Sequence, residues 1–197
     1  MLLSPRKIAL SVFLLLAFTG LSQRKSNWTV DIGKTQTYPG FFYLYDGSVD
    51  LSVGYHLNIA DNLFVGGAFG LQFLGLNGTQ SKTVIYKPKL ILEYHIRSGK
   101  SFNIVPLIAV GYSFLKIKNN EYGYSSLQQG FNISPELKLL WKTGLQTDFY
   151  LFGRYDYVKL IKDEDFTFLN YYRNANITSF GIGVVIKRKK HAQPEKY

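Results

Sequence analysis

Phe131-Asn132-Ile133-Ser134-Pro135-Glu136-Leu137-Lys138-Leu139-Leu140-Trp141 puts apolar residues on every odd position and polar or charged ones on all but one of the even positions. Neighbouring side chains of a β-strand point to opposite faces, so this stretch makes a strand with one apolar and one charged face. The same period recurs from Asn27 onward, with no helix-period stretch. Val49, Leu51, Val53, Tyr55 and Leu57 alternate with Ser48, Asp50, Ser52, Gly54 and His56. Leu63 to Phe73, Tyr86 to Ile96, Phe102 to Phe114, Phe149 to Tyr157 and Phe180 to Ile186 follow the same rule. A shorter run, Trp28-Val30-Ile32 against Thr29-Asp31-Gly33, completes eight segments.

Composition agrees. The chain has 197 residues, enough for one domain with a real core. Its 15 Tyr, 15 Phe and 2 Trp, with 18 Gly, are strand formers and strand kinkers. There is no cysteine, which excludes disulfides, thiolate metal sites and a cysteine nucleophile. Charged residues at 18% and a mean hydropathy of −0.03 exclude a polytopic helical membrane protein.

Arg6 and Lys7 precede the mainly apolar run Ile8–Phe18, and small residues follow at Gly20 and Ser22. Residues 1–22 therefore read as a cleaved secretory signal. As a helix the run would rise about 16 Å, roughly half a bilayer core. Loss of Arg6 and Lys7 lowers the formal charge from +10 to +8. Export without cysteine suits the envelope of a Gram-negative bacterium. The Asn-X-Ser/Thr triplets at Asn27, Asn77, Asn132 and Asn176 are then chance matches.

Connections near 58–62, 97–101 and 143–147 are short, whereas those near 34–47, 74–83, 116–130 and 159–175 are long. Short turns at one end and long loops at the other describe an up-and-down transmembrane barrel. The expectation is an all-β, eight-stranded antiparallel barrel over residues 23–186, with a basic periplasmic tail over 187–197. A soluble, lipocalin-like, lipid-binding barrel has the same period with its apolar face inside. Aromatic residues near strand ends and charges of both signs on the Gly- and Ser-rich face favour the lipid-facing arrangement. Outer-membrane lipid is thus the expected surrounding.

The signal, the eight hairpin-linked strands and the closing Ser179-Phe180-Gly181-Ile182-Gly183-Val184-Val185-Ile186 resemble small outer-membrane barrels of the OmpA/OmpX-like type. Strand starts such as Pro88-Lys89-Leu90 and Pro135-Glu136-Leu137 are similar to versions common in Bacteroidota, which include PorT-like secretion accessory barrels. The final octet is similar to the family's assembly signal, with Ser179, Gly181, Val184 and Ile186 in the matching places. That implies recognition by the barrel-assembly machinery. It departs from the pattern in that Lys187 to Tyr197 follow it.

On the polar face, Asp31, Asp50, Glu93, Glu136 and Asp156 balance Lys87, Lys89, Lys138, Lys142 and Arg154. An ion-selective pore needs one sign in excess, whereas buried charges need partners. A plugged lumen is expected, with a narrow transport pore as the alternative. His56 and His95 fall on the same face and lack further ligands at metal-binding spacing, so no metal or cofactor is expected. No nucleophile motif accompanies them, so no enzymatic role is expected. Pro88, Pro106 and Pro135 predict local bulges. Asp46-Gly47 is a tight-hairpin signal that would join Phe41–Tyr45 to Ser48–Ser52.

The aromatic loop containing Tyr38, Phe41, Phe42, Tyr43 and Tyr45 is a candidate docking patch for an envelope or secretion protein. Loop residues Lys116, Lys118, Lys159, Lys162 and Arg173 are placed to meet lipid phosphates, and Lys187, Arg188, Lys189 and Lys190 to meet periplasmic headgroups. Export argues against nucleic acid as a partner.

Overall fold

The computed structural model describes residues 26–38, 45–76, 81–119, 123–161 and 174–188. The signal-like segment 1–22 lies outside them, as do Phe41, Phe42, Tyr43, Lys162, Arg173, Lys189 and Lys190. The strands are β1 (Ser26–Thr37), β2 (Tyr45–Ala60), β3 (Leu63–Leu76), β4 (Ser81–Tyr94), β5 (Ile96–Arg97), β6 (Phe102–Asn119), β7 (Tyr124–Trp141), β8 (Thr147–Leu160) and β9 (Asn174–Lys187). The two-residue β5 continues β4 past His95, whose amide turns aside to the Asn62 carbonyl at 2.8 Å. The molecule therefore has eight staves. Each pairs antiparallel with its chain neighbour, and β9 pairs with β1 to close the cylinder. Closure leaves no open edge along the paired body of the sheet.

The alternation works as the sequence requires, with the apolar side outward. Leu90 is 71% exposed, Phe131 62% and Phe180 61%, while Asp50, Lys87 and Asp156 are fully enclosed. A lipocalin-like barrel would invert these faces. Rings gather at both rims of the outer surface. Trp28 lies 4.9 Å from Tyr55 and Phe102 lies 5.4 Å from Trp141 at the short-turn rim. Tyr112 meets Phe131 at 5.1 Å toward the other. From Phe102 to Phe114 the strand advances about 40 Å at ~3.3 Å per residue. A tilt of about 45° turns that into ~28 Å of height, close to a hydrocarbon core.

Four local expectations need correction. Asp46-Gly47 is not a hairpin turn: β2 runs through it, with a register shift between Gly47 and Val49 and another between Asn58 and Ala60. A Cβ on Gly47 would lie 2.4 Å from the Thr35 carbonyl oxygen, so the glycine serves close strand packing. The prolines make no bulges. The ladder skips beside Pro88, between Tyr86↔Phe114 and Lys89↔Gly111, and beside Pro135, between Ile133↔Tyr157 and Glu136↔Arg154. Pro106 faces the interruption at His95. The register is the same on both sides of every gap, because proline removes a donor without inserting a residue. Finally, the connections near 74–83 and 116–130 are mostly strand, since β3 reaches Leu76, β4 starts at Ser81, β6 reaches Asn119 and β7 starts at Tyr124. Lys116, Lys118 and Lys159 are accordingly strand residues with outward side chains.

The closing seam is tight. A Cβ on Gly181 of β9 would lie 2.1 Å from the Ile32 carbonyl oxygen of β1. Gly181→Val is expected to destabilise the barrel by about 1–3 kcal/mol. Gly75→Ala, where an added Cβ meets open space, should change stability by less than about 0.5 kcal/mol. Urea unfolding in detergent micelles measures both.

Candidate functional site

The inward positions of five staves converge on one continuous network of charge. Arg154 of β8 is its hub. Its Nε donates to Glu136 Oε2 at 2.6 Å, Nη1 to Asp50 Oδ2 at 3.2 Å and Nη2 to both Asp31 oxygens at 3.3 Å. A planar guanidinium with five donors suits such a three-sided role, which an ammonium cannot fill with the same geometry. Asp50 passes the connection to Lys87 at 3.2 Å, and Lys87 reaches Asp156 at 2.8 Å. Asp156 also takes Lys89 at 2.5 Å and the Ser134 hydroxyl. On the other side of the hub, Glu136 lies 3.8 Å from Lys138, which holds Glu93 at 2.9 Å. Glu93 ends the chain between two imidazoles, His95 Nε2 at 2.6 Å and His56 Nδ1 at 3.4 Å.

Nine of the ten charged residues expected on the inner face are thus buried together, along with His56, and a half-buried His95 closes the end of the network. Lys142 is the exception and a correction. It stands half-exposed at the short-turn mouth, beside Asp61, His95, Asp148 and Lys187, around a vestibule of about 290 Å³. No ion pair joins it to the network among the described residues. The inner strand carries it only as far as Trp141, where β7 ends. Without Lys142, five carboxylates face four cations, and Arg154 alone is shared by three of them.

Several participants escaped the sequence reading. Tyr150 is buried, donates its hydroxyl to Asp31 at 3.0 Å, and places its ring 5.1 Å beneath the Lys138 ammonium. Gly183 leaves room for that ring, since a Cβ there would lie 2.3 Å from it. Gln72 links Lys87 to Thr35 and Ser179. Their common signal was inward parity on their strands, which amide, hydroxyl and phenol groups share with the charged residues. Asp148 was missed too: it holds Lys187 at 2.7 Å. That ion pair, with a bond to the Leu145 carbonyl at 3.2 Å, turns Lys187 toward the mouth rather than toward lipid.

Apolar layers flank the charges. Leu74, Ile85, Leu115, Val158, Ala175 and Ile177 pack inside the barrel toward the long-connection rim. Val105, Leu140, Tyr150, Phe152 and Val185 pack toward the short-turn rim. The void beside Thr29, His56, Glu136 and Arg154 is about 20 Å³, room for one water. Thr29 Oγ1, His56 and Glu93 do line up as hydroxyl, imidazole and carboxylate, with Oγ1 3.1 Å from Nε2. That void admits no substrate to them, and Glu93 is already shared with Lys138 and His95. No cluster suited to a metal occurs among the described residues.

Of the other candidate positions, Tyr38 is 41% exposed and donates its amide to the Asn176 carbonyl at 3.0 Å. Tyr45 opens β2 opposite Leu76. Ser179 points inward to Thr35 and Gln72, Gly181 lies against Ile32, and Val184 and Ile186 face outward from β9. Arg188 donates its amide to the Ser26 carbonyl at 3.2 Å, beside the seam.

No family model matches the sequence, and no curated protein matches it. Solved structures of small barrels resemble the fold. Neisserial surface protein A superposes with a TM-score of 0.59 at 12% identity, covering 83% of this chain and 97% of that one. OprG, the outer membrane protein from Pseudomonas aeruginosa, gives 0.54 at 12%, covering 85% and 98%. Ail, the attachment invasion locus protein of Yersinia pestis, solved with the heparin analogue sucrose octasulfate, gives 0.53 at 11%, covering 84% and 99%. The fold is that of the small eight-stranded barrels, and each of these spans nearly its whole length on this chain.

Arg154→Met leaves three carboxylates without their common partner and is expected to cost about 3–5 kcal/mol. Adding Asp31→Asn and Glu136→Gln should restore much of that loss, because the cost lies in unpaired charge rather than in lost bonds. Urea unfolding of the single and triple variants checks the order.

Proposed function

We propose that the chain is an integral outer-membrane barrel, exported through a cleaved signal at 1–22. In this reading its interior is closed to solutes and its outer rim is an interaction platform for an envelope or secretion partner. The observation that carries this reading is the continuous ion-pair network from Lys89 to His95, capped above and below by apolar layers. A conducting lumen needs a wet path with charge of one sign in excess. Here each inward cation is committed to a carboxylate, and the void beside Arg154 and Glu136 is the size of one water.

The outward apolar belt, with rings at both rims and about 28 Å of height, supports insertion in a bilayer. The likeness to outer-membrane barrels supports the outer membrane as its location. Ail, a barrel of the same fold, was solved holding a sulfated sugar, which supports surface recognition as a use for such a scaffold. The reading assigns no chemical step to the buried charges; their work is to fix the cylinder on which the rim is mounted.

Purified protein inserted into a planar bilayer is expected to give no steady single-channel steps at either polarity. Reproducible steps of uniform size would overturn the closed-lumen reading and restore a narrow pore. In fractionated cells the protein is expected with the outer membranes, running faster unboiled than boiled; recovery in the soluble fraction would overturn the membrane assignment.

A further inference from the structure

Charge on the outer surface is sorted by sign. Among the described strand side chains, every acid points inward: Asp31, Asp50, Glu93, Glu136, Asp148 and Asp156. The outward charges toward the long-connection rim are all lysines, namely Lys34, Lys82, Lys116, Lys118 and Lys159. Three of them share one patch. Lys82 of β4 stands directly opposite Lys118 of β6, and Lys116 lies two residues along β6 on the same face, opposite Val84. Like charges directly opposite across an antiparallel pair repel and lower stability. A fold that satisfies its interior charges so fully has no internal reason to stack three cations outside.

Position supplies the reason. Tyr86 pairs with Phe114, and Tyr112 meets Phe131, so the ring layer ends at Phe114. Lys116 and Lys118 follow two and four residues later, which at ~3.3 Å per residue and a tilt of about 45° is ~5 and ~9 Å farther out. That is the headgroup layer of the leaflet. The side chains project sideways into it rather than upward into solvent.

We infer that Lys82, Lys116 and Lys118 form a binding site on the barrel wall for the phosphate groups of a phosphorylated glycolipid in the outer leaflet. Lys159 of β8, opposite Phe131, continues the belt around the wall. Phosphate takes up the repulsion between Lys82 and Lys118, and the acyl chains lie along the apolar wall below them, against Tyr86 and Phe114.

The test compares bisphosphorylated lipid A with the same lipid A stripped of phosphate, each offered to the folded full-length protein in zwitterionic detergent, with retention read by native mass spectrometry. Retention of the phosphorylated form is expected to be at least about tenfold greater, and Lys82→Gln with Lys116→Gln and Lys118→Gln to abolish that preference. Lys100→Gln, at the opposite rim, should leave it intact. Unboiled gel mobility establishes that each variant is folded. A second readout does not depend on the triple variant: Lys118→Gln should raise the unfolding midpoint in lipid-free detergent, where only repulsion is removed, and lower it when lipid A is present. Equal retention of the two lipids by the unaltered protein, or an undiminished preference in the triple variant, would overturn the site. Loss of the preference on adding millimolar inorganic phosphate would show a free-ion site and overturn the lipid assignment.

Discussion

Removing a guanidinium from water is costly, and the cost is met only when its several donors all find acceptors. Arg154 achieves this with three carboxylates contributed by three staves, Asp31 from β1, Asp50 from β2 and Glu136 from β7. The remaining inner charges follow from that hub. Each carboxylate that Arg154 shares recruits a second cation or a phenol, and the chain of pairs ends only where imidazoles flank Glu93. Staves that bring no charge have another task. β6 lines its inner face with Val105, Leu107, Ala109 and Leu115, so the network presses against an apolar wall instead of spreading into an aqueous lumen.

The two faces of each strand therefore obey opposite solvents. In the proposed membrane placement, Leu, Ile, Val and aromatic residues outside meet hydrocarbon, and ring layers mark where it ends. Inside, polar groups meet one another. A one-residue slip of any stave would present carboxylates to lipid and leucines to the network. Such a register is defined by its wrong alternatives as firmly as by its right contacts. The prolines show the tolerance that remains: Pro88, Pro106 and Pro135 each sit beside a missing rung, yet the strands stay in step, because the side-chain faces and not the individual rungs hold the alignment.

The barrel was legible in the sequence because period-2 alternation with charges on one face leaves few other folds. Parity also placed most of the inner charges. It could not place Lys142, because parity says nothing of where a strand stops, and β7 stops one residue earlier. Nor could it show that Tyr150 and Gln72 are members, since an uncharged polar side chain on an inward position carries no mark of its partners. Asp46-Gly47 read as a turn because that pair is permissive locally. The neighbouring strands overrode it: Gly47 pairs with Leu74 and packs against Thr35, and the register shifts at Ser48 just after it. The lysines beyond Phe114 read as loop because loops are polar, while they continue the strand alternation on its outward face.

Arg154 and Asp31 are separated by 123 residues along the chain, and the pair exists only when β8 and β1 share one cylinder. Contacts between such distant segments are late to form, because the loop they close must be ordered first. Until β9 bridges β8 and β1, the strands can pair into a curved sheet, yet Asp31 has no cation and Arg154 lacks two of its three acceptors, Asp31 and Asp50. An unclosed sheet of this chain is thus poorly suited to hydrocarbon and well suited to water. For the proposed membrane barrel, the electrostatics of the interior set an order of events in which closure comes before, or together with, full immersion in the bilayer.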